Sequence, residues 1–193
     1  MRFLLFIAAI GFCTTSYASE LLKWNAGVVV LYDGQLRQGE LAFQVSEIVL
    51  FRTEGKVTVY TANKIHSFRY YDQEQDINRK FVSRVSTFGR TAIFYEVVVV
   101  GEVSIMRKLK TQIIVNRKIS DKDDFDYFVL FQNNLFTLGQ FRNKVYPGLI
   151  AKWGQIIDLI KQRHLNPNQK ADAIQIIQLY NKVAFAETLV VGI

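Results

Sequence analysis

"GVVVLYDGQLRQGELAF", residues 27–43, decides how the chain begins to fold. It holds a β-branched run, a break at Asp33-Gly34, and a second run in which apolar and polar residues alternate. Asp-Gly is a strong signal for a two-residue type I′ hairpin turn, because both central residues need φ > 0. With that pair as the loop, Tyr32 faces Gln35 and Leu31 faces Leu36. The outgoing strand then changes parity, since Leu36 is even-numbered whereas Leu41 and Phe43 are odd. A bulge at Gly39 repairs this, because one inserted residue flips the facing and glycine tolerates the bulge geometry. The stretch starts an antiparallel sheet and carries no reactive group.

Strand signals continue at 47–51 and 57–61 around a Glu54-Gly55 turn, then at 64–70, 81–88, 91–100, 103–110, 112–119 and 126–131. No helical period intervenes, which argues antiparallel pairing rather than βαβ units. After Leu135 the pattern changes. Residues 140–145 read as a short helix. Residues 149–164 put Ile150, Trp153, Ile156, Ile157 and Ile160 on one helical face. Asn166-Pro167 reads as an N-cap and first helical residue, opening a second helix with Ile174, Ile177 and Tyr180. The expected fold class is α+β: an antiparallel β-sheet or partly closed barrel of roughly eight strands (about 27–132), then a C-terminal helical pair (about 139–182). The apolar tail, 183–193, is expected to dock on the body.

The N-terminal segment reads as a Sec signal peptide. Arg2 supplies a positive start, residues 3–12 are apolar, and Ser16-Tyr17-Ala18 fits the small-x-small cleavage pattern. Residues 1–18 are then removed, leaving one domain, 19–193. The apolar run is shorter than the roughly 20 residues that span a bilayer. Cys13 follows Phe12, where a lipid-attachment site wants a small residue. Cys13 is the only cysteine, so the mature chain is expected to enter an oxidising compartment without disulfides and to rest on its core. A chain of about 175 residues can do so, burying roughly 70% of its unfolded surface.

Four stretches carry a resemblance: "VVVLYDGQLRQGELAF", "VTVYTANKIHSFRYYD", "FDYFVLFQNNLFTLGQFRNKVYPGL" and "IIQLYN". They look like a group of exported, functionally uncharacterised β-rich proteins of Bacteroidota, which share a "DG…G" hairpin, a "Y-x-A-x-x-I-x-S-F" segment and a helical end closing on Tyr-Asn. The resemblance implies an envelope location in a Gram-negative cell, periplasmic or outer-membrane-associated, and no known activity. The end "TLVVGI" does not look like the basic-ended sorting domain that many secreted proteins of that phylum carry.

Charge is uneven along the chain. Residues 19–76 carry six Lys/Arg against eight Asp/Glu, whereas residues 77–118 carry nine against two. A basic strip including Arg84, Arg90, Lys108 and Lys110 suits an anionic lipid surface or a glycan; otherwise it is a solvated sheet face. Nucleic acid is not an expected partner of an exported protein. The aromatics Phe68, Tyr70, Tyr71, Phe81, Phe88, Phe94 and Tyr95 could stack on sugars or bases, but at strand spacing they read as core and cross-strand pairs.

Several chemistries have no residues to carry them. His66 and His164 are the only histidines, and no zinc spacing, Gly-x-Ser-x-Gly elbow, phosphate loop or dinucleotide fingerprint occurs. No cofactor or metal is expected. The acidic run "SDKDDFD", 120–126, lacks the glycine and glutamate of a calcium loop and reads as a solvated turn.

Glu96, in "AIFYEVVVV", is the acid most easily taken for a catalytic one. Gly101-Glu102 fits a two-residue type II′ turn, which sets Val100 against Val103, Val98 against Ile105 and Glu96 against Arg107. The expectation is a structural ion pair. Three functions follow. The first is a non-catalytic envelope module, structural or binding a protein or glycan. The second is a carrier of a small apolar ligand or lipid. The third is a hydrolase with a dispersed carboxylate pair.

Overall fold

The computed structural model describes residues 22–86, 89–110 and 124–191. Ten strands form its centre: β1 (Asn25–Leu31), β2 (Leu36–Val45), β3 (Ile48–Thr53), β4 (Lys56–Thr61), β5 (Ile65–Asp72), β6 (Ile77–Val85), β7 (Ala92–Val99), β8 (Ser104–Leu109), β9 (Phe125–Phe131) and β10 (Asn134–Thr137). They make one antiparallel sheet in the order β10-β9-β8-β7-β6-β5-β1-β2-β3-β4. The chain meanders from β1 to β4, returns so that β5 pairs with β1, and meanders on to β10. Of the expected sheet or partly closed barrel of roughly eight strands, the antiparallel sheet is what forms, with ten strands; among the described residues it is open, with β4 and β10 as its edges. It nevertheless curls: the Phe94 N–H on β7 donates to the Ser46 carbonyl at the β2–β3 corner, 2.6 Å away. The signal peptide, the strand expected at 112–119 and Phe88 lie outside the described residues.

The opening hairpin departs from its expected register. Val30 pairs with Leu36 and Val29 with Arg37, and the pairing continues without a shift to Asn25 and Leu41. The loop has three residues, Tyr32-Asp33-Gly34, closed by the Leu31 N–H donating to the Gln35 carbonyl at 2.9 Å. Gly34 sits at φ +84°, as a type I turn followed by a left-handed residue requires. Asp33 Oδ1 accepts the Gln35 N–H at 2.9 Å and fixes the wider loop. The inserted residue demanded by the parity change is therefore in the turn, and no bulge forms at Gly39. Leu36 faces solvent, 70% exposed, while Leu41 is buried. Gly39 serves another need: a Cβ there would lie 2.8 Å from the Phe51 ring.

β10 was not expected. Gln132 and Asn133 both adopt positive φ, +48° and +62°, and turn β9 straight into it, with Phe131 opposite Asn134. A 3₁₀ turn (Leu138–Gln140) and one wide π turn (Phe141–Val145) then lead into α1 (Tyr146–Lys152), α2 (Ile156–Gln162) and α3 (Lys170–Val191). The single helix expected over 149–164 is two helices. Trp153, at φ −139° and ψ 74°, leaves the helical region and ends α1. α3 starts at Lys170 rather than Pro167, because Asn166 makes a turn. Its Oδ1 accepts the Asn168 N–H at 3.0 Å and its carbonyl accepts the Gln169 N–H at 2.9 Å. The tail expected to dock on the body continues α3 to Val191. Among the described residues no helix is long and apolar enough to cross a membrane.

Two apolar clusters share the inner face. In one, Phe43, Phe68, Tyr70, Phe81 and Phe94 pack together, Phe68 and Phe81 stacked at 4.6 Å between centroids. In the other, Ile105, Val129 and Phe131 meet Leu149, Ile156, Ile160, Ile176, Ile177 and Tyr180 of the helices, with Trp153 half-buried at its margin. Tyr95, Met106 and Phe128 form a third cluster on the opposite face. Phe68→Ala should cost about 3–5 kcal/mol by urea unfolding, as for other buried aromatic truncations. Leu36→Ser should change stability by less than about 0.5 kcal/mol. Comparable losses for both would place Leu36 on the inner face and contradict the three-residue loop.

Candidate recognition groove

Register sets one row of side chains across the inner face: Val29 opposite Phe68, Phe68 opposite Phe81, Phe81 opposite Glu96, Glu96 opposite Arg107, and Arg107 opposite Tyr127. Glu96 thus lies mid-sheet, between the aromatic cluster and the helix-covered one. Arg107 Nε donates to its Oε2 at 2.7 Å, and Arg79 Nη1 to its Oε1 at 2.7 Å. Arg79 Nε also donates to Asp72 Oδ2 at 2.9 Å, and Lys23 Nζ to Asp72 Oδ1 at 3.1 Å. The side chains of Asp72, Arg79, Glu96 and Arg107 are only 10–11% exposed. The Arg107 guanidinium also lies 4.1 Å over the Phe125 ring.

Such a ladder suits charge storage poorly as acid–base machinery and well as structure. A general acid at neutral pH needs an apolar pocket or a neighbouring like charge, whereas each of these carboxylates accepts from two cations. Burial pushes the Asp72 carboxyl up, but hydrogen bonds from Arg79 and Lys23 outweigh it and hold the group below its ordinary value. Burial likewise opposes the Arg79 charge, and Glu96 and Asp72 reverse the balance. Tyr70, opposite Arg79, has its hydroxyl pushed up to about 12, chiefly by burial.

The pairing expected from Gly101-Glu102 is the one observed for Glu96 with Arg107 and Val97 with Met106. Nearer the turn it shifts, so that Val99 rather than Val98 meets Ile105. The expected type II′ turn does not form, since Gly101 does not take a positive φ, and α3 grips the wider link. Asn181 Oδ1 accepts the Val103 N–H at 3.1 Å and its Nδ2 donates to the Val103 carbonyl at 2.8 Å, as a neighbouring strand would. Gly101 leaves room for that side chain; a Cβ there would fall 2.3 Å from it. Tyr180 Oη donates to Glu102 Oε1 at 2.9 Å, and Lys152 Nζ reaches the same oxygen at 2.6 Å. Burial and the Glu102 hydrogen bond both push the Tyr180 hydroxyl up. Beside this clamp runs an open groove of about 580 Å³, lined by Val99, Val100, Gly101, Glu102, Gln178, Asn181, Lys182, Ala184 and Phe185. Val100 and Phe185 stand 71% and 68% exposed along it.

The residues singled out from sequence fall elsewhere. Arg84, opposite Ile93, and Lys108, opposite Asp126, are half-buried on the outer face, at the same end of the sheet as the exposed Arg90 and Lys110. Arg79 and Arg107 turn inward, so the basic segment is not one solvated strip. Phe68, Phe81, Phe94 and Tyr95 are core, while Tyr71 is exposed. His66 packs edge-on against Tyr32, and His164 occupies the turn after α2 at φ +52°. Of the acidic run, Asp124 is buried and Asp126 lies on β9; Asp121 and Asp123 are outside the described residues. Among the described residues no three His, Cys, Asp or Glu side chains converge as a metal site. The groove itself was not expected. The only sequence signals near it were the closing Tyr180-Asn181 and the apolar tail holding Phe185. No family model, no curated protein and no solved structure matches this chain.

The ladder makes stability depend on pH in two directions. Asp72 is held low in the fold, so its pairing stabilises fully above about pH 4 and is lost as pH falls through the folded value. Tyr70 is held high, so its contribution is complete below its ordinary value of 10.0 and is lost as pH rises towards about 12. Urea midpoints should therefore fall from about pH 7 to about pH 3, and again by about pH 11. A midpoint unchanged between about pH 7 and about pH 3 would contradict the buried pairing of Asp72.

Proposed function

We propose that the chain is a non-catalytic exported module of the cell envelope, periplasmic or outer-membrane-associated, that binds a partner protein through the groove beside Phe185. One observation carries the reading: the inward acids Asp72 and Glu96 are each tied between two cations, whereas Val100 and Phe185 stand open to solvent along a groove. Large apolar side chains exposed together on a soluble domain mark interaction surfaces. The groove walls are aliphatic and aromatic, with Glu102 and Lys182 as single charges of opposite sign. That suits an inserted apolar side chain better than an anionic lipid or an acidic glycan, which call for several converging cations. Export rests on Arg2, the apolar run after it and the Ala18 cleavage pattern.

A second reading uses the same groove for a small apolar ligand or lipid, since its volume falls in the range of small-molecule sites, roughly 300–1,000 Å³. The hydrolase reading finds no free carboxylate pair in Asp72 and Glu96. Native mass spectrometry of the exported protein, with photo-cross-linking from position 178 in the expressing cell, separates these readings. The expected result is an unliganded mass and one cross-linked protein of defined mass, lost on Phe185→Asp. A stoichiometric co-purifying lipid would replace the first reading with the second. No cross-link from the groove and no bound molecule would overturn both.

A further inference from the structure

Among the described residues the β4 edge is open, and we infer that it joins a second copy of this chain across a two-fold axis, extending the sheet strand to strand. This goes beyond the groove, which lies at the far side of the sheet. Among the described residues no strand pairs with the outer side of β4. Native sheets protect such edges with charges, bulges or proline, yet Lys56-Val57-Thr58-Val59-Tyr60-Thr61 carries one charge, at its first residue, and keeps an unshifted register with β3. On its outer face Val57 and Val59 are 48% and 59% exposed, beside the 37%-exposed Ile48 on β3.

The strand's own pattern suits itself. A two-fold axis normal to the sheet keeps outer faces together, so one residue must lie opposite its own copy. With Thr58 on the axis, Val57 meets Val59 of the second copy twice over on the outer face, and Lys56 meets Tyr60 on the inner face. Thr–Thr is a favourable cross-strand pair, Val57 and Val59 bury apolar surface against each other, and Lys–Tyr allows a cation over a ring, beside the Arg37 that already donates to the Tyr60 hydroxyl at 2.7 Å.

Sedimentation velocity of the exported protein tests this. The expected result is a monomer–dimer equilibrium that shifts with concentration through the micromolar range. Val59→Lys should abolish the dimer while leaving the thermal unfolding midpoint unchanged at concentrations where the parent protein is monomeric, since that side chain is exposed. A second variant reads the axis directly. The chain's only cysteine is Cys13, in the expected signal peptide, and opposed strand residues have Cα atoms about 4.5–5.5 Å apart, within disulfide reach. Thr58→Cys should therefore give a single covalent dimer on oxidation, and Thr137→Cys on β10 should not. A monomer at every concentration, with no cross-link from Thr58→Cys, would overturn the inference and leave the edge to a strand from another protein. So would a dimer that survives Val59→Lys and is not trapped by Thr58→Cys.

Discussion

A carboxylate in the middle of a wide sheet is the constraint around which this molecule is arranged. Burying an ion costs several kcal/mol unless partners repay it, and Glu96 sits one row from a cluster of stacked phenylalanines. Its two oxygens are met by separate arginines, one on either neighbouring strand. Each arginine has a second task. Arg79 ties Asp72 at the end of β5, and through it Lys23 ahead of β1; Arg107 lies over the Phe125 ring on β9. Five strands are thereby held in register by charge. A one-residue slip would turn an unpaired charge into an apolar cluster, so the ladder specifies the pairing more sharply than aliphatic side chains would.

Part of this was legible in the sequence. The pairing of Glu96 with Arg107 is the expected one, but the type II′ turn it was expected from does not form: Gly101 does not take a positive φ, and the link is wider by one residue, which the shift between Val97 and Val99 offsets. Arg79 was out of reach, because the β6–β7 link has no turn signal of fixed length. The opening hairpin shows the opposite difficulty. Asp33-Gly34 serves a two-residue or a three-residue loop, and only the parity of Leu41 and Phe43 separates them. The residue that this parity demands lies in the loop and not at Gly39, where the bulge was expected. β10 was hidden because Asn133, not glycine, takes the left-handed position. The break at Trp153 was hidden because isoleucines continue the helical period across it.

The groove was illegible for a different reason. It joins the β7–β8 turn to α3, and the Val103–Asn181 and Glu102–Tyr180 hydrogen bonds link residues 78 apart in the chain. No local pattern encodes such a meeting. What the sequence did hold was the material: a glycine with no side chain at 101, and a Tyr-Asn pair at 180–181 with hydrogen-bonding ends. The clamp also sets Val100 beside α3, so packing of the last helix and presentation of the apolar surface go together. The interior uses its ions for order, and the exposed apolar groups Val100 and Phe185 stand at its rim.

The central claim is that Glu96 is a structural ion, and a double-mutant cycle on Glu96 and Arg107 tests it most directly. Glu96→Ala or Arg107→Ala alone leaves a buried charge short of a partner and should cost about 3–5 kcal/mol in urea unfolding. The double variant should cost at least about 1 kcal/mol less than the sum of the singles, because neither charge is then stranded. Effects that add to within about 0.5 kcal/mol would show that the two groups do not depend on one another, and would contradict the account.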